Sequence, residues 1–247
     1  MTSLGNLAHL LWLTVWLRPY VFAYFACYLL SGGRELGWTR LALFTVPAYS
    51  LALLSEYSSI NTGLPYGLYR YHTATVGREV WVLGVPLFDS LSYTFLAYAS
   101  LCVARRRLAG RGLLPAALLA GVLTLLQDVV VDPVAVRGSR WFLGDLFDYP
   151  GGGIYFGVPL SNFAGWLLTG CAICGAYLTL ERLLAPWLPA PPRPRRHYAT
   201  GVLLYFVIMA FNTALAFWIG EPALGAAGLA VLAVSVAVAR VPVGPPA

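Results

Sequence analysis

The chain contains no lysine, and all sixteen of its basic residues are arginines. Charge of either sign is scarce: 11% of the 247 residues are charged, against about 25% in an ordinary soluble domain. With 59% hydrophobic residues and a mean hydropathy of +0.72, the chain has too little polar surface to cover itself in water. The composition excludes soluble enzymes, secreted disulfide scaffolds, disordered proteins and nucleic-acid binders, and points to an integral membrane protein. The absent lysine also excludes a retinal protein, because retinal is held as a Schiff base on a lysine amine. Cysteine is sparse too. Cys27, Cys102, Cys171 and Cys174 all lie in apolar runs. The C-x-x-C at 171–174 is flanked by glycines inside a span, where small residues serve close helix packing.

Apolar stretches long enough to cross a bilayer, about 20 residues each, fall near 7–30, 39–55, 80–103, 112–131, 155–180, 199–219 and 222–240. Arg18-Pro19 interrupts the first, which therefore reads as a kinked span or as a surface helix followed by a short span. No charge precedes His9 as the n-region of a signal peptide requires, so this segment is expected to be retained. The fold class is then an all-α integral membrane protein of about seven transmembrane helices, or six if residues 4–30 do not cross. It forms one polytopic domain over 1–247. Its one linker-like stretch, 186–197, is rich in proline and arginine.

The arginines alternate with span number. Arg34, Arg40, Arg105, Arg106, Arg107, Arg111, Arg182, Arg193, Arg195, Arg196 and Arg240 share one side, and only Arg70, Arg78, Arg137 and Arg140 share the other. The positive-inside rule then places the C-terminus in the cytoplasm of a multi-pass protein of the cell membrane.

The polar chemistry collects at the opposite, arginine-poor ends. Glu56, Asn61, Tyr66, Tyr69, Arg70, Tyr71 and His72 follow the second span. Glu79 and Asp89 accompany the third, Gln127, Asp128 and Asp132 end the fourth, and Asn162 and Trp166 open the fifth. By hydropathy Asp89 sits about ten residues into its span, where a carboxylate costs roughly 2.5–3.5 kcal/mol. Such a group is paired, neutral or functional. Glu56, Glu79 and His72 lack metal-ligand spacing, and no metal is expected.

An internal repeat organises these groups. Gly-Val-Pro-Leu occurs at 84–87 and at 157–160. Glu56 precedes the first copy much as Asp128 precedes the second, and Asp89 and Asn162 each lie three residues past the proline. Two helix-pair units, about 40–103 and 112–180, would gather Glu56, Asp89, Asp128 and Asn162 about one axis.

The motifs that carry these residues are E-x(4)-N-T-G-x-P-Y-G-x-Y-x-Y at 56–71, V-P-L-x-D-S-L-S-Y-x-F at 85–95, D-x(3)-D-P at 128–133 and Y-F-G-V-P-L-x-N-F-x-G-W at 155–166. Across roughly residues 40–180 the chain resembles the membrane-bound carotenoid 1,2-hydratases of the CruF type. It is also distantly similar to the small membrane lycopene cyclases. In the cyclases the proline motif ends in acids. Here Pro159 is followed by Asn162, while Pro86 keeps Asp89.

The resemblance implies addition of water across the C1–C2 double bond of an acyclic carotenoid end group. That reaction starts with a proton from a carboxylic acid kept neutral by burial and ends with a base that deprotonates the incoming water. Read this way, Asp89 is the general acid, and Glu56 and Asp128 are base or electrostatic partners. Asn162 positions water, while Asn61, Tyr66, Tyr69, Tyr71, Asp132 and Trp166 contact substrate. The reaction is redox-neutral and needs no cofactor. The implied partners are an acyclic or monocyclic carotenoid, the bilayer and other carotenoid enzymes. End-group cyclisation on the same scaffold and a non-catalytic isoprenoid carrier are the competing readings.

Overall fold

A computed structural model describes residues 4–190, 192 and 198–240. Arg193, Arg195 and Arg196, with most of the 186–197 linker, lie outside the described residues. Among the described residues eight α-helices dominate: α1 (Leu4–Leu17), α2 (Pro19–Glu35), α3 (Trp38–Thr62), α4 (Leu87–Arg107), α5 (Leu113–Ala135), α6 (Leu160–Leu183), α7 (Ala199–Trp218) and α8 (Pro222–Arg240). By length and composition α4 to α8 are each able to cross a membrane. α1 and α2 meet those limits only as a pair, bent by 97° at Arg18. Pro19 occupies the first helical position of α2, where a missing N–H costs nothing, so the chain restarts there in a new direction. α3 is 25 residues long, but Arg40, Pro47, Glu56 and a run of hydroxyl residues dilute its apolar character.

Two expected spans begin later than hydropathy suggests. Residues 81–86 are apolar but form a hairpin, with β2 (Trp81–Val82) antiparallel to β3 (Val85–Pro86). Its turn residues, Leu83 and Gly84, have φ of 55° and 81°. Tyr155 bridges Val158 around Phe156 and Gly157, at φ 50° and 88°. Positive φ at both central residues is the primed turn that suits a tight hairpin. Each turn leads to a proline, Pro86 or Pro159, that precedes the first residue of the next helix. Asp89 is therefore the third residue of α4, in its first turn, and not ten residues into a span. Asn162 holds the same position in α6. Composition alone does not separate a short apolar hairpin from the start of a helix.

Close helix contact depends on small residues. A Cβ on Gly121 of α5 would lie 2.2 Å from the Cys171 sulfur of α6, and one on Gly170 would lie 2.9 Å from Thr124. Cys171 and Cys174 are free thiols, and Cys174 is buried with its sulfur 3.7 Å from the Ala97 carbonyl. The C-x-x-C thus belongs to the packing seam. At the arginine-rich ends of the helices, buried Glu181 pairs with Arg40 at 3.3 Å and also with Arg105. This joins α3, α4 and α6. Asp89 lies sixteen residues before Arg105 on α4, about 24 Å along its axis, so the carboxylate-rich end and this ionic cluster are opposite ends of the bundle.

Candidate active site

The connections α3–α4 and α5–α6 meet over the carboxylate-rich end. β1 (Arg70–Tyr71) pairs antiparallel with β4 (Phe147–Asp148), with Tyr71 opposite Phe147 and Arg70 opposite Asp148. Strand alternation sends Tyr71 and Phe147 into a cavity below. Arg70 and Asp148 stay outside, 2.9 Å apart, and His72 lies 3.2 Å from the same Asp148 oxygen. The α3–α4 connection is held down at Gly165 of α6, where a Cβ would come within 2.4 Å of the Tyr66 ring and 2.9 Å of the Pro65 backbone.

The cavity is lined by Glu56, Tyr66, Tyr69, Tyr71, Asp89, Tyr93, Asp132, Phe147, Tyr149, Asn162 and Trp166. On the first repeat's side, Glu56 accepts a hydrogen bond from the Ser90 hydroxyl at 2.7 Å. The Tyr71 hydroxyl bonds Asp89 and also lies 3.4 Å from a Glu56 oxygen. On the second side, the Asn162 amide donates to Asp128 at 2.6 Å and to Asp132 at 2.7 Å, and the Trp166 indole donates to Asp132 at 3.3 Å. Trp166 stacks on Tyr93 at 4.2 Å between ring centres. The Tyr66 hydroxyl donates to Thr169 at 2.9 Å and meets Ser55 at 2.8 Å. Tyr71 belongs to the connecting segment outside the helices. Burial, with Asp89 and Glu56 beside it, pushes its phenol well above the usual range, so it keeps its proton.

This cavity encloses about 320 Å3, its open mouth included, of which water centres can occupy about 30 Å3. That is room for about two waters. A second chamber of about 660 Å3, mouth included, adjoins it between α2, α4, α5 and α7. Its walls are mostly apolar: Tyr20 and Tyr24, Phe88 and Phe95, Val131 and Ala135, Ile208 and Phe211, with Leu143 and Leu146 from the α5–α6 connection. Asp89, Asp132, Phe147 and Trp166 line both chambers.

Most residues singled out by sequence converge here. Asp128 stands behind the wall: it is fully buried, bonded to Asn162, and has one carboxyl oxygen without a hydrogen-bond partner. Asn61 is not brought in. It is exposed, and its amide bonds the Tyr57 carbonyl of its own helix. Five residues beyond Glu56, it points about 140° away around the helix.

Tyr93, Phe147 and Tyr149 were not anticipated. Tyr93 is four residues from Asp89 on one helix face, a signal the spacing contained. Phe147 and Tyr149 arrive only through the β1–β4 pairing. Arg18, read as a helix break, is 1% exposed. It holds both oxygens of Glu79, at 3.1 and 3.0 Å, donates to the Leu143 carbonyl at 2.5 Å, and lies over the Phe88 ring. It therefore braces the wall of the apolar chamber.

The sequence pattern of the carotenoid biosynthesis proteins matches residues 11–236, nearly the whole described chain. The chain belongs to the carotenoid biosynthesis protein family. A bisanhydrobacterioruberin hydratase of Haloarcula japonica is 31% identical to it over 134 residues, 53% of this chain. The matched stretch spans 41% of that hydratase's own length. No solved structure matches. The family expected from the motifs is thus the family found, and the two chambers are features of a carotenoid biosynthesis protein with membrane-type helices.

Proposed function

We propose that this protein adds water across the C1–C2 double bond of an acyclic carotenoid end group by acid catalysis. The observation that carries this reading is the pair of adjoining chambers, one apolar and one water-sized and polar, with Asp89 and Asp132 on their common wall. An end group seated in the apolar chamber meets a carboxyl on the side from which water arrives. Asp89 gives its proton to C2, and the tertiary cation forms at C1. Water from the polar chamber adds its oxygen to C1, and its surplus proton passes to a carboxylate. Asp132 takes the base's role, since Asp128 does not reach the cavity. The stacked Trp166 and Tyr93 present aromatic surface to the cation, and Asn162 orients Asp132 and the water.

The test is expression with lycopene, followed by pigment analysis in heavy water and in 18O-labelled water. Hydration gives a more polar pigment with deuterium at C2 and solvent oxygen in a tertiary hydroxyl. An isomeric ring-bearing pigment would replace hydration by cyclisation. Unaltered pigment across several acyclic carotenoids would favour a carrier.

A further inference from the structure

The Tyr71 hydroxyl faces two carboxyl groups, Asp89 and Glu56, from one oxygen atom. A phenol carries one proton and can donate it to one partner at a time. Two carboxylates cannot both be satisfied by it. Both contacts are made good only when one carboxyl is itself protonated and donates to the phenol oxygen while the phenol donates to the other. The arrangement then has two forms. In one, the proton is on Asp89 and the chain runs from Asp89 through Tyr71 to Glu56. In the other, the proton is on Glu56 and the chain runs back.

We propose that Tyr71 is a proton relay which recharges Asp89 from Glu56 after each turnover. The proposal rests on the hydration reading, because hydration requires such a step. The reaction consumes no net proton, yet Asp89 loses its proton to C2 while the water gives its surplus proton to Asp132. Asp89 and Asp132 line both chambers, and the side chain bonded to the Asp89 carboxyl is Tyr71. Glu56 lines only the polar chamber, which Asp132 also lines, so the waters it has room for would join the two carboxyls. The proton left on Asp132 crosses those waters to Glu56. Glu56 then gives a proton to the phenol oxygen as the phenol gives its own to Asp89. No bond other than O–H is made or broken in this step, and Tyr71 ends as it began. Ser90, bonded to the same Glu56 oxygen, holds that carboxyl in line. The Tyr71 ring is set by edge contacts with Tyr69, Trp81 and Phe147, all of which a phenylalanine keeps.

Tyr71→Phe in the full-length membrane protein is the test, with lycopene as substrate. Single-turnover formation of hydrated pigment should persist near the wild-type rate, because Asp89 starts protonated. Steady-state turnover should fall at least about a hundredfold, the low end of the usual range for a lost proton-transfer group. A burst of about one product per enzyme should therefore appear, and Glu56→Gln should reproduce it. Equal loss in the first and later turnovers, or no loss in either, would overturn the relay.

Infrared difference spectra of the resting protein supply a readout that needs no turnover. A protonated carboxyl band that disappears in Asp89→Asn should shift in Tyr71→Phe. An unchanged band in Tyr71→Phe would refute the relay even if hydration is established. If wild-type protein makes no hydrated pigment, the function fails while this band still decides the proton link.

Discussion

Asp89 takes its importance from its position as much as from its charge. As the third residue of α4 it sits where the helix end favours negative charge, and when ionised it accepts from the Tyr71 hydroxyl. It nevertheless faces the apolar chamber, where an ionised carboxylate is costly. A carboxyl held between these opposing influences is suited to losing and regaining a proton. Asp89→Asn keeps shape and removes the proton, so hydrated product should fall at least about a hundredfold with normal membrane insertion, scored by pigment yield against protein level. Arg70→Gln, on the outer side of the β1–β4 pair, should leave that yield unchanged. Glu181→Gln is no silent control, although its distance from the acids makes it look like one. Glu181 is 4% exposed and answers two arginines. Removing one partner of a buried ion pair typically costs about 3–5 kcal/mol, so this variant should lower the unfolding temperature in detergent.

At the scale of elements, the site depends on loops pressed against helices. Gly165→Ala inserts a methyl where the Pro65 backbone and Tyr66 ring already stand. Overpacking of this kind costs about 1–3 kcal/mol, and here it lifts the tyrosine-bearing connection off α6. Product yield should drop sharply, whereas Gly175→Ala on the same helix, whose nearest atom is 3.8 Å away, should be tolerated. A second join ties the α5–α6 connection to the α7–α8 turn, where Glu221 meets Arg137 at 3.0 Å and also Arg140. The hydrogen bonds from Arg137 and Arg140 hold the Glu221 carboxyl below its ordinary value of 4.5. A depressed folded-state value contributes stability that is present above that ordinary value and lost as pH falls through the folded one. Unfolding temperature measured from pH 6 downward should fall over that window, and Glu221→Gln should flatten this part of the profile.

For the whole molecule, the arginine-rich and carboxylate-rich ends set a polarity. We expect the arginine-rich end to face the cytoplasm and the active site to open on the other side. A cysteine introduced at 108 should resist a membrane-impermeant thiol reagent in intact cells, and one at 150 should label. Labelling at 108 would invert the orientation. Both chambers lie toward the carboxylate-rich end, so this experiment also decides which side would supply water to the proposed reaction.

Composition alone determined that this is a membrane-type helical protein, because a chain with so little charge has no other way to cover its apolar surface. Local spacing brought out Glu56, Asp89, Asp132, Asn162 and the tyrosines, since a polar residue at the end of an apolar run is costly and conspicuous. The β2–β3 hairpin was not legible, because apolar strand and apolar helix look alike over six residues. Nor was the true place of Asp89 in the first turn of its helix, which follows from that hairpin. Arg18 with Glu79 and Tyr71 with Phe147 are far apart in the chain, and no periodicity links them. Tertiary structure decided that Asp128 stands behind Asn162, that Asn61 faces outward, and that two chambers share a carboxyl-bearing wall. Each of those outcomes is set by how whole helices rotate and approach, which depends on contacts distant in sequence.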